Sequence, residues 1–249
     1  MEGKRELAEP RSISVMAMLP TYNEAENVRS LIEALLAIEG MHVVVVDDDS
    51  PDGTWQIVGE MAERDPRVRL VHRKGVRGRG SAGVAGLRHA VEAGAQRVVE
   101  MDADWSHHPR HIPAMLEAAR NTDVVIGSRL VPGGGEFGRS RARKVITVFA
   151  NTYIRIVLGL KIRDCTSGFR VFRREALEKI HLDRMQSNGP AIVQEILMAC
   201  KRAGCRFAEV PIQFEQRRAG ESTLTFKILI TGLLSVLRFR FQRVRSSKL

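Results

Sequence analysis

Two aspartates one residue apart, Asp102 and Asp104, close the stretch that begins Arg97-Val98-Val99-Glu100-Met101 and continues as MDADWSHHPR (residues 101–110). Carboxylates spaced i, i+2 around a small residue, here Ala103, can converge on one hard cation. Magnesium usually takes one or two protein carboxylates and fills its octahedron with substrate phosphates and waters. Such a pair at a strand end is therefore suited to a metal diphosphate. His107 and His108 are the rival ligands. Adjacent histidines point in different directions, and carboxylate-rich sites favour magnesium or manganese where imidazole favours zinc and copper. The metal falls to Asp102 and Asp104. The histidines are expected to hold the loop and the next helix start, with Ser106 and Pro109 as terminus signals and Trp105 as packing.

A second acidic cluster lies in VVVVDDDSPDGT (residues 43–54). Asp52-Gly53 reads as a turn, and Asp49 or Ser50 as a cap for the following helix. Asp47 and Asp48 at the strand end need a ligand or cation to offset their repulsion. A carboxylate there can accept hydrogen bonds from a base or from ribose hydroxyls. The stretch RKGVRGRGSA (73–82) carries glycines at 75, 78 and 80. It is no P-loop, because no Gly-Lys-Ser/Thr follows. Gly80-Ser81 lets backbone approach a ligand, and Arg77 or Arg79 can meet phosphate. A flexible basic loop fits the same residues equally.

The elements that position these loops follow from periodicity. Apolar runs at 13–19, 41–46, 68–72, 97–101 and 123–127 read as strands. Amphipathic stretches at 24–40, 54–64, 81–93 and 110–120 read as helices between them. This alternation predicts an α/β fold with a mostly parallel sheet and helices on both faces. In such sheets ligands bind beyond the carboxyl ends of the strands, where the polar loops fall. The second half is less regular, with helices expected at 142–158 and 190–203 and strands within 164–174 and 205–214.

The chain has 249 residues, 44% hydrophobic, with a net charge of +10, enough for one domain with a real core and suggestive of an anionic partner. Aromatics at 5% and the lack of an aromatic-and-basic signature make nucleic acid the weakest candidate. Cys165, Cys200 and Cys205 form no pairing framework and are expected to be reduced and buried. The polar N-terminus lacks the apolar region of a signal peptide. The apolar segment 226–239 is shorter than the ~20 residues that span a bilayer.

Seven stretches in order, LPTYNE (19–24), VDDDSPDGT (46–54), GRGSA (78–82), MDADWSHHP (101–109), GSR (127–129), DCTSGFR (164–170) and EVPIQFEQRRAGES (209–222), run across nearly the whole chain. In these the sequence resembles the dolichyl-phosphate (polyprenyl-phosphate) mannosyltransferases, within the family 2 glycosyltransferases of GT-A, Rossmann-like fold. The resemblance implies a nucleotide sugar donor, usually GDP-mannose, and a polyprenyl phosphate acceptor. It places Pro20, Tyr22, Glu24, Val46 and Asp48 around the nucleotide. Asp102, Ala103 and Asp104 fall on the diphosphate and on Mg2+ or Mn2+, Arg129 and Arg217 on the substrate-binding arginines, and Arg143 and Thr147 near the acceptor phosphate. Asp102, Asp104 and Arg129 are the expected catalytic residues. A hydroxyl acceptor would instead need a carboxylate base, and Glu195 is the candidate.

The sequence departs from the family pattern in three places. Thr223 stands where a lysine is expected near the donor. Pro190, Ile192 and Val193 replace aromatic and glutamine positions before Glu195, and Arg139 replaces a tryptophan. Residues 1–224 are expected to form the catalytic domain, with 1–12 flexible. Residues 225–249 form a basic amphipathic tail, either packed on the core or lying on an anionic membrane. The enzyme is then expected at the cytoplasmic face of a membrane, peripheral or docked on a membrane-protein partner. A different acceptor or donor sugar, or a non-catalytic nucleotide-sugar or anion-binding protein, are the alternatives.

Overall fold

Alternate residues of the strands enter two separate apolar layers. Met16, Met18, Val44, Val46 and Val98 face one layer, and Val15, Ala17, Leu19, Val43, Val45 and Val99 the other. A strand covered on both faces must be apolar at every position, which is why Met41–Asp47 reads as a continuous run. The computed structural model describes residues 13–138, 140–215 and 226–241. Arg139, Arg217, Thr223 and residues 1–12 and 242–249 lie outside the described residues.

The first half is a regular alternation: β1 (Val15–Thr21), α1 (Ala25–Leu36), β2 (Met41–Asp47), α2 (Thr54–Arg64), β3 (Val68–His72), α3 (Arg79–Glu92), β4 (Arg97–Glu100), a 3-10 turn at Pro109–His111, α4 (Ile112–Ala118) and β5 (Val124–Ser128). The second half contributes β6 (Gly135–Glu136), α5 (Arg141–Leu158), β7 (Arg170–Arg173), α6 (Arg174–Lys179), a 3-10 turn at Leu182–Arg184, α7 (Ile192–Arg202), β8 (Phe207–Pro211), β9 (Gln213–Phe214) and α8 (Phe226–Phe241).

The main sheet has seven strands in the order β3-β2-β1-β4-β7-β5-β8. All neighbours are parallel except β7, which runs antiparallel to both β4 and β5. The α/β fold expected from the sequence is borne out. Apolar faces of α1, α2 and α4 cover one side through Leu31, Leu35, Val58 and Met115. The other side is covered by α3, α5, α6, α7 and α8.

Register brings the functional ends together. Thr21 pairs with Asp47, Asp47 with His72, and Met18 with Glu100, so β1 to β4 end at one edge. Strand order reverses between β1 and β4, the kind of switch point where α/β sheets open a crevice. Because β7 is reversed, its first residue Arg170 lies opposite Glu100 of β4 and Ile126 of β5. The turn 164–169 therefore sits over this same edge. Above it β6 and β9 pair as a small two-stranded ribbon.

Helix α8 belongs to the core rather than standing apart as a tail. Val236 and Phe239 are buried in the layer that holds Ile154 and Leu158 of α5. The Tyr153 hydroxyl donates to the Leu233 carbonyl at 3.1 Å, and Arg202 donates to the Phe239 carbonyl at 2.6 Å.

Candidate functional site

The turn after β4 is built around its aspartates. Asp104 is buried, and its Oδ1 accepts from the Ser106 backbone N–H at 3.1 Å and the Ser106 hydroxyl at 2.6 Å. Ala103 is buried beside it, and Trp105 takes a positive φ of 65° to reverse the chain. Asp102 remains part-exposed, and its Oδ1 accepts from Arg79 at 2.6 Å. Both histidines act as supports. His107 stacks on Phe169 with ring centroids 5.1 Å apart, and its Nδ1 accepts from the Asp102 backbone N–H at 3.1 Å. Burial holds the His107 imidazole below its ordinary pKa, and an accepting Nδ1 leaves the proton on Nε2. His108 caps the following 3-10 turn by accepting from Arg110 N–H at 3.1 Å.

The four aspartates after β2 divide the work in a way their types do not reveal. Asp47 is fully buried and closes its own turn, accepting from the Thr21 and Ser50 hydroxyls and the Ser50 N–H, all within 2.8 Å. It offsets repulsion internally, so the expectation that it pairs with Asp48 toward a ligand is corrected. Asp48 accepts from Arg73 Nε at 2.7 Å and the Gly78 N–H at 2.8 Å, which ties it to the basic loop. Asp49 meets His72 at 2.6 Å. The helix-start role expected of Asp49 or Ser50 falls to Asp52 instead. Its carboxylate accepts from the N–H groups of Thr54 and Ala25, the first residues of α2 and α1.

At the end of β1, Pro20 lies in register with Val46, and Val46 is fully buried. Glu24 accepts from the Asn27 amide at 2.8 Å and donates its N–H to Thr54. The exposed Tyr22 ring carries the Arg77 guanidinium 3.8 Å from its centroid, so the basic loop folds across the end of β1. Between the turn after β2 and the basic loop opens a cleft of about 360 Å³ lined by Asp48, Asp49, Gly75, Val76 and Arg77. That is the size of a small-ligand pocket. Gly80 keeps this loop in place. Its N–H donates to the Asn188 carbonyl at 2.8 Å, and a Cβ there would sit 2.1 Å from the Ser187 carbonyl oxygen.

Arg129, just past β5, is held rather than extended. Its Nε and Nη2 grip the Asp164 carboxylate at 2.7 Å each, Nη2 also reaches Thr166, and Nη1 lies 3.1 Å from Glu136. Burial alone would lower the guanidinium pKa, but Asp164 together with Glu136 and Asp102 outweighs it and the net shift is upward. Burial alone would likewise raise Asp164, and Arg129 keeps it below the usual carboxylate range. Arg129 and His107 share a neighbour, the Phe214 ring on β9.

Thr147 and Arg143 lie on α5, away from the strand ends but joined to them. Asn151 donates to the Thr147 carbonyl at 2.9 Å and to the Thr166 hydroxyl at 3.0 Å. Both oxygens of Glu195 accept backbone N–H groups, from Gln186 at 3.0 Å and Ser187 at 2.9 Å. That carboxylate fastens the 186–189 segment, which corrects its candidacy as a base. Glu100 and Arg170 form a buried pair 4.0 Å apart that no sequence motif marks. Two charges at strand positions that should be apolar were the available signal. Of the cysteines, Cys165 and Cys200 are buried as expected, whereas Cys205 is half-buried.

Among the described residues no three His, Cys, Asp or Glu side chains converge on a metal position. Among those residues Asp102 and Asp104 are the two carboxylates of this turn that could hold an ion. An all-oxygen pair that leaves most positions to phosphate and water fits Mg2+ or Mn2+ and not zinc.

The family profile described as glycosyl transferase family 2 matches residues 17–181, which spans the carboxyl ends of β1 to β7. The chain belongs to glycosyl transferase family 2. An undecaprenyl-phosphate mannosyltransferase of Micrococcus luteus is 41% identical over 226 residues, 90% of this chain and 93% of that one. A polyprenol monophosphomannose synthase of Mycolicibacterium smegmatis is 38% identical over 92% of this chain and 89% of its own. Among solved structures, a glucosyl-3-phosphoglycerate synthase from Mycobacterium tuberculosis with Mn2+ and UDP-glucose superposes at a TM-score of 0.64 with 20% identity, covering 91% of this chain and 78% of that one. At that identity the likeness speaks for the fold. The glycosyltransferase expected from the sequence motifs is borne out by the family and by these relatives.

Proposed function

We propose that this chain transfers mannose from GDP-mannose to a polyprenyl phosphate with inversion at the anomeric carbon. One observation carries the reading. The carboxylate pair Asp102/Asp104 stands at the carboxyl edge beside the switch point, within the field of Arg79 and Arg129, in a chain 41% identical to an undecaprenyl-phosphate mannosyltransferase.

In this reading Pro20, Tyr22, Glu24 and Asp48 lie around the nucleotide with Val46 buried behind them, and Arg217 is assigned to the donor. Asp102, Ala103 and Asp104 receive the diphosphate, and Asp102 and Asp104 hold Mg2+ or Mn2+. When bound, that ion neutralises charge gathering on the departing nucleoside diphosphate. Arg129 is positioned by Asp164 to add positive charge at the same edge. Arg143 and Thr147 on α5 orient the acceptor phosphate. A phosphate monoester has a second pKa of about 6 and is mostly dianionic near neutral pH. Its oxygen attacks the anomeric carbon as the bond to the donor diphosphate breaks, so an α-linked donor gives a β-linked product. No proton has to be removed, which agrees with Glu195 being engaged elsewhere.

A lipid acceptor calls for a membrane-facing surface, and α5 supplies one. Val145, Val148, Phe149 and Ile156 recur at helical spacing and all face solvent, opposite the buried Asn151, Ile154 and Leu158. Among the described residues no helix is long and apolar enough to cross a membrane. We therefore place the enzyme at the cytoplasmic surface of a membrane, resting on this face.

The test is incubation with labelled GDP- and UDP-sugars, with and without polyprenyl phosphate and Mg2+ or Mn2+. Label should enter the organic phase only with GDP-mannose, lipid and metal together, and Asp104→Asn should lose at least 100-fold in turnover. Label that stays water-soluble across the panel, or an Asp104→Asn enzyme with full metal-dependent turnover, refutes the reading. Transfer to a sugar hydroxyl instead would select the alternative acceptor.

A further inference from the structure

The Arg79–Asp102 contact has no place in the transfer chemistry above. Arg79 is the first residue of α3, and its Nη2 lies 2.6 Å from Asp102 Oδ1. The pair is only partly exposed, at 29% and 28% of the two side chains. Asp102 is the main cause that raises the guanidinium pKa, with burial opposing and Glu100 and Asp104 adding. The turn before β7 makes room for it: a Cβ on Gly168 would stand 2.6 Å from Arg79 Nη2.

We propose that Arg79 is a built-in counter-ion for Asp102 that hands the carboxylate to the metal only when a diphosphate takes the guanidinium in exchange. This rests on the metal assignment of the proposed function and goes beyond it. A divalent ion and a guanidinium compete for the same carboxylate. Metal alone must displace Arg79 or share Asp102 with it, and stripping one partner from a part-buried ion pair is unfavourable. A diphosphate offers Arg79 a better anionic partner, since guanidinium pairs with phosphate through two parallel hydrogen bonds. Without metal, the carboxylates of Asp102 and Asp104 repel the same diphosphate. Metal and donor therefore bind with positive coupling, which by linkage acts equally in both directions. The consequence is an enzyme whose metal position stays closed by its own arginine until donor arrives.

The signs of the expected effects separate this role from a structural one. In Arg79→Met, Mn2+ alone should bind about tenfold more tightly than to the wild-type chain, while GDP in the presence of Mn2+ should bind about tenfold more weakly. A residue that merely supports the fold or directly assists the metal would move Mn2+ affinity the other way. Arg79→Lys keeps the charge and should restore weak Mn2+ binding. Gly168→Ala, which pushes the flexible guanidinium tip off Asp102 while leaving Arg79 present, should tighten Mn2+ binding as Arg79→Met does. Mn2+ affinity is read from the EPR signal of the free aquo ion, with folding checked by circular dichroism. The Mn2+ measurement uses no nucleotide, so it does not depend on the donor. Failure of GDP to bind the wild-type chain counts against the proposed donor. Unchanged or weaker Mn2+ affinity in both Arg79→Met and Gly168→Ala overturns the counter-ion exchange.

Discussion

Replacing Val145, Val148 and Phe149 of α5 with serine should release the protein from anionic vesicles while leaving its fold intact. These side chains are 67%, 52% and 66% exposed, so each already stands in water and none fills the core. Full burial of a Val or Phe side chain is worth about 1.5–3 kcal/mol. Scaled by exposure, insertion of each contributes about 1–2 kcal/mol, and the three together about 3–5.5 kcal/mol. At 1.4 kcal/mol per factor of ten, the vesicle partition coefficient should fall by about two to four orders of magnitude. Arg141, Arg143, Lys144 and Arg155 on the same helix add about 1 kcal/mol each near an anionic surface, a part that salt should remove. The assay is co-sedimentation with phosphatidylglycerol-rich vesicles over a salt series, with thermal unfolding as the control. Turnover on a short, water-soluble polyprenyl phosphate should persist, while KM for a bilayer-embedded acceptor rises. A triple variant that sediments like the wild type, with an unchanged Tm, would refute the membrane role of this face. Loss of binding on replacing the exposed Leu234, Leu237 and Phe241 of α8 alone would move the contact to α8.

Three further outcomes follow from the interior. Asp164→Asn breaks the two-pronged grip on the buried Arg129 and should cost about 3–5 kcal/mol by chemical denaturation. Because Asp164 is held below its ordinary value of 3.8, its stabilisation is complete above that pH and is lost as pH falls through the lowered value. The acid limb of the wild-type stability curve should accordingly flatten in Asp164→Asn. Burial pushes the Cys165 thiol up to about 12, so mass-mapped alkylation at pH 8 should spare Cys165 until the chain unfolds. Gly80→Ala drives a methyl into the Ser187 carbonyl and should destabilise by about 1–3 kcal/mol, seen as faster hydrogen exchange across 186–189.

The five strand-and-loop units and the location of Asp102 and Asp104 were legible because they depend on local spacing. Continuous apolar runs and period 3.6 patterns fix which ends of the strands carry the polar loops, and a parallel sheet then gathers those ends. The roles within DDDS were not legible. Asp47, Asp48 and Asp49 are one residue type at successive positions, and what separates them is Thr21, Arg73 and His72, all at least 23 positions away. The direction of β7 was hidden for a similar reason. A four-residue strand carries no sign of parallel or antiparallel pairing, yet its reversal is what brings the 164–169 turn over the site. Helix α5 was expected, but its outward apolar face was not. Ile154 and Leu158 pack inward while Val145, Phe149 and Ile156 point outward, and a helix apolar on two sides does not declare which side meets the core.

That two-sided helix ties the proposed membrane contact to the sugar site. On its inner side Asn151 bridges the Thr147 carbonyl and the Thr166 hydroxyl, and also accepts from the Thr166 N–H at 3.1 Å. Thr166 accepts from Arg129 and lies next to Asp164 in the same network. Rotating α5 about its axis would break these hydrogen bonds and expose Ile154 and Leu158. The orientation of the outer stripe is thus fixed relative to Arg129 and, through Phe214 and His107, relative to the Asp102 turn. On the proposed contact, a membrane held by Val145, Val148 and Phe149 would set the tilt of the whole carboxyl edge with respect to the bilayer. In that proposed arrangement an acceptor phosphate at headgroup depth would approach along the same helix that carries Arg143 and Thr147. Asn151→Leu keeps the outer stripe and severs the inner link. It should leave vesicle binding near wild type and lower kcat, whereas the triple serine variant raises KM for the embedded lipid. Matching losses of vesicle binding and kcat in Asn151→Leu would show that the two sides of α5 are not separable in this way.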